Sequence, residues 1–211
     1  MPSQLSLYNG ALALCKNRYL ESLTEDVEER YLLDLEYDKA LRYCLEQGLW
    51  NFALRATLLE PDDTNEPEWG ALYAYLRPDD FVRLNAISAD PYFYQTLEDY
   101  VDEGQYWIAS INPLYVSYIS DDSSYGMNMG KWPATFERFV EHELAYRVAP
   151  HLTALTDADL KRMGDDRVVA MKDARSKDAM NQPVSRPPAG RLVRARQGTR
   201  YSASDGRPWW R

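Results

Sequence analysis

Apolar residues recur at helical spacing toward both ends of the chain and at strand spacing in its middle. From Ser3 to Asn17, Leu5, Tyr8, Ala11, Leu12 and Cys15 keep the i, i+3, i+4, i+7 rhythm of one helix face. Thr24 reads as the N-cap of a second helix, with Glu25 and Asp26 in a first turn where the helix dipole favours anions. Gly48 stops this helix after Gln47. It is apolar on two stripes. One holds Leu33, Tyr37, Ala40, Leu41 and Cys44; the other holds Val27, Tyr31, Leu35 and Leu45, with Asp34 and Asp38 between them. A surface helix of a monomer needs one apolar stripe, so a helix with two is either central in its own domain or shared with a neighbouring molecule.

The rhythm then changes to strands: 52–59, 71–76, 81–87, 97–101, 106–111 and 114–119. Turn chemistry separates them at Glu60-Pro61-Asp62-Asp63, Arg77-Pro78-Asp79-Asp80, Asp90-Pro91, Asp102-Glu103-Gly104 and Asn112-Pro113. Alternation in 106–111 and 115–119 predicts a sheet with one buried face. Residues 121–131 form a polar loop in which Gly126, Met127, Asn128, Met129 and Gly130 read as a flexible tip. Pro133 suits the first turn of a third helix, which carries Phe136, Phe139, Val140 and Leu144 on its apolar face and ends near Pro150. Thr156 and Asp159 resemble a capping box opening a fourth helix, with Leu160, Met163, Met171 and Ala174 inward and an end near Asn181-Gln182-Pro183. The expected fold is α+β: an antiparallel helix bundle (1–51 and 132–182) with an inserted small antiparallel β-sandwich or barrel (52–131), and an extended C-terminal tether (183–211).

That last segment has Pro183, Pro187, Pro188 and Pro208, many arginines and almost no aliphatic residues, a composition that cannot bury enough surface to fold alone. Extended at about 3.1 Å per residue, it reaches on the order of 90 Å, which suits long-range tethering to another protein. Charge sharpens this picture. From Lys172 to Arg211, ten Lys or Arg stand against three Asp, giving +7, so the other 171 residues carry −16 of the net −9. An acidic body with a basic end suggests two different partners, or an end that lies on the body of a neighbouring copy.

The chemistry of an enzyme is hard to find. His142 and His151 are the two histidines, and the second histidine of a zincin helix would have to stand where Tyr146 is. A nucleophile elbow, a P-loop and a Rossmann glycine signature are all lacking. Asp121-Asp122 and the pair Asp157 and Asp159 read as turn and cap residues rather than cation ligands. No cofactor or metal is expected, and the chain is read as a non-enzyme. A hydrolase working through paired carboxylates would need a cleft with two inward acids, at least one with a raised pKa. Cys15 and Cys44 fall on helical patterns, where a free thiol serves as a small buried hydrophobe. No stretch approaches the roughly 18 apolar residues of a membrane span, and the start lacks a signal peptide's basic and apolar regions, so no membrane partner and a cytoplasmic setting are expected. The sixteen tyrosines suit protein interfaces. The alternative to a structural role is a nucleic-acid-binding accessory protein gripping strands through its basic end and Trp209-Trp210.

Several segments share an order and spacing with a known family: Tyr31-Leu32-Leu33-Asp34 through Cys44-Leu45-Glu46-Gln47-Gly48-Leu49-Trp50-Asn51-Phe52-Ala53; Leu76-Arg77-Pro78-Asp79-Asp80-Phe81-Val82-Arg83; Trp132-Pro133-Ala134-Thr135-Phe136; Glu143-Leu144-Ala145-Tyr146-Arg147-Val148-Ala149; and Ala174-Arg175-Ser176-Lys177-Asp178-Ala179. Through them the chain resembles the head-to-tail adaptors of short-tailed bacteriophages, often called tail tubular protein A. The resemblance implies a virion component, assembled in the host cytoplasm, whose twelve copies form a ring between the portal protein and the tail nozzle protein. Double-stranded DNA passes through the ring without sequence-specific binding. On this reading Val27, Tyr31 and Leu35 meet the next subunit, and Gly126, Met127, Asn128 and Met129 face the nozzle. Pro183, Arg186, Pro187, Pro188, Arg191, Arg194, Arg196 and Arg200 tether the chain to the portal; Trp209 and Trp210 are expected to anchor that tether, a role the resemblance does not itself imply.

Overall fold

In a computed structural model, which describes residues 3–65, 67, 71–152 and 156–181, four helices enclose one apolar core and six strands enclose another. Helix α1 (Gln4–Leu14) is capped by Ser3, whose hydroxyl accepts the Ser6 amide at 3.2 Å. It ends where Lys16 takes φ 56°, so that the Asn17 amide donates back to the Leu12 carbonyl at 3.0 Å. Helix α2 spans Glu28–Glu46. It starts three residues later than the Thr24 cap predicts, because the side chains around Thr24 are committed elsewhere. Glu25 pairs with Arg18 and accepts the Glu21 amide, and Asp26 accepts the Tyr31 hydroxyl, leaving Glu28 and Glu29 as the acidic first turn.

The Trp50 indole N–H donates to the carbonyls of Cys44 and Leu45 at 3.0 and 3.1 Å, closing the C-terminal end of α2. Gly48 is required there: a Cβ would stand 2.7 Å from the Trp50 ring. Helix α3 (Ala134–Leu152) packs against α1, α2 and α4 (Asp157–Met180). Phe136 sits among Trp50, Phe52 and Trp132, with ring centroids 4.8 to 5.1 Å away. Thr156 caps α4 as its sequence predicts, accepting the Asp159 amide while its own hydroxyl donates to the Asp159 carboxylate at 2.6 Å.

Between α2 and α3, a 3₁₀ turn at Asn51–Ala53 leads into strands β1 (Leu54–Leu59), β2 (Tyr73–Leu76), β3 (Phe81–Ser88), β4 (Val101–Glu103), β5 (Tyr106–Ala109) and β6 (Leu114–Ser120). They form two antiparallel three-stranded sheets, ordered β1-β6-β3 and β2-β5-β4. Leu54 stands opposite Ile119 and Leu59 opposite Leu114 in the first; Tyr73 stands opposite Ala109 in the second. The mixed α+β architecture expected from the pattern is present.

Two strand expectations need correction. Residues 97–100 are not in a strand: the segment after β3 turns at Asp90–Tyr94, and pairing resumes only at Val101. The alternation expected of β5 and β6 is also absent, since Trp107, Ile108 and Ala109 are all buried, as is nearly every residue of β6. Strand β6 is central and covered on both sides. Val116 and Tyr118 join the inter-sheet core with Tyr75 and Trp107, whereas Ile119 joins the helical core.

Candidate interaction surfaces

The residues expected to meet other molecules fall on three segments, and the structure treats each differently. On α2, Leu33, Ala40, Leu41 and Cys44 are buried in the helical core, with Tyr37 packed beside them. Of the second stripe, Leu45 is fully buried and Val27 packs partly against the same core, whereas Tyr31 and Leu35 remain 54% and 62% exposed. The proposed contact face of Val27, Tyr31 and Leu35 is thus reduced to the last two. Tyr31 is held in place: its hydroxyl donates to Asp26 at 2.8 Å, and the Arg30 guanidinium lies 3.9 Å from its ring centroid. Asp34, between the stripes, accepts the Tyr8 hydroxyl at 2.8 Å and Arg30 at 2.7 Å. The Tyr37 hydroxyl is pushed up to about 12 by burial, with Asp38 adding to the shift.

Gly126, Met127, Asn128 and Met129 do not form a free tip. Gly126 is buried, its amide donating to the Ser120 carbonyl at 3.1 Å and its carbonyl accepting the Trp132 indole at 2.8 Å. A Cβ there would come within 2.2 Å of the Ser120 oxygen. Met127 and Met129 pack against the helical core, and Asn128 caps a 3₁₀ turn (Met129–Lys131) through Gly130. With Gly126 buried and Met127, Asn128 and Met129 half-buried, the segment is a packed turn rather than a flexible tip. The tether residues Pro183, Arg186, Pro187, Pro188, Arg191, Arg194, Arg196, Arg200, Trp209 and Trp210 lie outside the described residues.

Charge is concentrated in the strand-rich part. Between residues 52 and 131 there are four basic and fourteen acidic residues, a balance of −10. From Leu84 to Gly130 there is no Lys or Arg at all. Asp80 is held by three side chains within this part. Burial alone would raise its pKa, but Ser120, Arg55 at 2.8 Å and the Tyr118 hydroxyl at 3.0 Å bring it below the ordinary value.

The bundle contains a polar knot that its sequence pattern does not signal. Glu143 lies on the buried face of α3 with a side chain 1% exposed, accepting Arg147 Nε at 2.6 Å and pairing with Arg167 of α4 at 3.3 Å; Arg147 also reaches Glu36 of α2 at 3.3 Å. Three helices are joined through two carboxylates, Glu143 and Glu36, with Arg147 between them. Because apolar spacing is blind to a charged residue on the inward face, only the i, i+4 placement of Arg147 hinted at it.

Two carboxyls, Glu141 and Asp178, are pushed upward by burial. Glu141 lies against Gly10 with Glu137 adding repulsion, and Asp178 accepts the Asn51 amide. His142 is shifted down by burial, followed by Arg138. Cys15 and Cys44 are buried free thiols, the former pushed up to about 11 by burial. Among the described residues, no group of three or more His, Cys, Asp or Glu is arranged to hold a metal, and no helix is long and apolar enough to cross a membrane. The chain matches no protein-family model and no curated protein sequence.

Proposed function

We propose that this chain is a structural head-tail connector of a short-tailed bacteriophage, forming a ring between portal and tail nozzle through which double-stranded DNA passes. The observation that carries the reading is the division of α2. Its first stripe is used up in the core, while Tyr31 and Leu35 stand one turn apart on the outside with Asp34 committed to internal contacts. An outward aromatic and aliphatic pair on a rigid helix suits repeated contact between copies. The five segments resembling the adaptor family support it, and so does the acidic strand-rich part, since a negative wall repels a passing duplex and keeps it from sticking. The same charge weighs against a nucleic-acid-binding accessory. Residues 183–211, with seven Arg against one Asp, act as the tether to the portal.

The test is the native mass of the particle, alone and with a portal ring. A multiple of the 24.4 kDa chain is expected in the complex. Tyr31→Ser with Leu35→Ser should lower occupancy of the ring while leaving the thermal melt of the free chain within a few degrees. A chain that stays a monomer beside the portal refutes the connector reading, and a monomer that unfolds on the double substitution returns the pair to its own fold.

A further inference from the structure

The loop following β3 is closely hydrogen-bonded to itself, and it displays two exposed aromatic rings. Tyr92 and Tyr94 are 74% and 83% exposed, their centroids 5.7 Å apart at an interplanar angle of 33°. Three successive amides turn back onto Asp90. The Tyr92 amide donates to Oδ1 at 3.2 Å, the Phe93 amide to the backbone carbonyl at 3.1 Å, and the Tyr94 amide to Oδ2 at 3.3 Å. Beneath them the buried Ser88 hydroxyl donates to the Gln95 carbonyl at 2.7 Å and accepts the Asp90 amide at 2.9 Å. Phe93 is held at φ 55°, a left-handed conformation that a bulky side chain seldom adopts. Solvent-facing tyrosines on an ordinary loop need none of this. Strain and lost loop entropy are compensated when a fixed display saves the ordering cost at the moment of binding.

The surroundings indicate what the rings meet. Glu98, Asp99, Asp102 and Glu103 follow within ten residues, all exposed, and Arg77 pairs with Asp102 alone among them. This is the middle of the stretch from 84 to 130 that has no basic residue of its own. Tyrosine faces and exposed carboxylates both attract guanidinium groups, whereas phosphate would be repelled. We infer that the Asp90–Tyr94 knuckle and the acids of 98–103 form a docking surface for an arginine-bearing extended segment of another polypeptide, with Tyr92 and Tyr94 as the stacking anchors. This inference does not depend on the connector reading.

Both apolar cores lie within residues 3–181, so binding can be measured on residues 1–181, free of the chain's own arginine-rich end. The probe is a fluorescein-labelled peptide of alternating Arg and Gly, followed by anisotropy at two salt concentrations. Saturable binding is expected, weakened about five- to thirtyfold by Tyr92→Ser with Tyr94→Ser, the loss of two exposed cation–π contacts, and retained by Tyr92→Phe with Tyr94→Phe. Equal affinity of the wild-type and serine forms would reduce the surface to non-specific charge attraction and overturn the inference. So would tyrosine-dependent binding of a β-linked oligosaccharide with no response to the peptide.

Discussion

Replacing Glu143 with Gln probes the junction on which the helical core turns. The substitution keeps volume and one acceptor oxygen, removes the charge, and turns an amide donor toward two guanidinium groups that can only donate. Breaking a fully buried ion pair from one side costs about 3–5 kcal/mol, because an uncompensated charge is left out of water. Arg147 and Arg167 here are 26% and 24% exposed, and Arg147 keeps Glu36 at 3.3 Å, so part of their charge is still solvated or paired. That brings the expected loss to about 2–3 kcal/mol. For a protein of this length each kcal/mol lowers the melting temperature by about 2–4 °C. Urea unfolding followed by circular dichroism should therefore show a lower midpoint at unchanged slope. A cycle with Arg167→Met should return a coupling above about 0.5 kcal/mol, as neighbours in one network do. A loss below about 0.5 kcal/mol for Glu143→Gln would refute the reasoning, since that is what an exposed pair contributes.

Two further outcomes follow from buried positions. Burial raises the Asp178 pKa in the folded protein, so its contribution to stability is fully present below the unfolded value of about 3.9 and is lost as pH rises through the folded value. Asp178→Asn, which keeps an oxygen for the Asn51 amide, should equal or exceed the wild type in melting temperature at pH 7 and lose that advantage near pH 3.5. Gly126→Ala drives a Cβ to 2.2 Å from the Ser120 oxygen and 3.0 Å from Leu45, and should cost about 1–3 kcal/mol by chemical denaturation.

Local signals were readable in the chain where the physics is local. Thr156 caps a helix, Gly48 ends one, and the turn residues at 61–63, 78–80 and 112–113 divide strands, since each acts on backbone groups a few residues away. Thr24 failed as a cap because its neighbours found better partners, Arg18 for Glu25 and Tyr31 for Asp26, which no window of spacing reveals. The burial of β6 on both faces was hidden for the same reason: one face depends on a second sheet and the other on helices distant in sequence. Of the candidate surfaces, the doubled stripe marked Tyr31 and Leu35 but left open whether they face their own core or outward, and Leu45 of the same stripe turns inward. The inward turn of Met127 and Met129 was not legible, because glycine and methionine in a loop read equally as a tip or as a seam.

The helical core is assembled from two stretches of chain with the whole strand module between them, and α3 touches every other helix of that core. During synthesis α1 and α2 therefore emerge without the helices that cover them. Both sheets, in contrast, can close as soon as β6 appears, because β6 pairs with β1 and β3 and supplies the face on which the second sheet packs. At about 5–20 residues per second, the interval from the end of β6 to the end of α4 leaves α1 and α2 uncovered for several seconds. Over that interval Leu33, Leu41 and Cys44 are exposed to whatever the nascent chain meets, so binding by a holdase should be heaviest on chains stalled between the two modules.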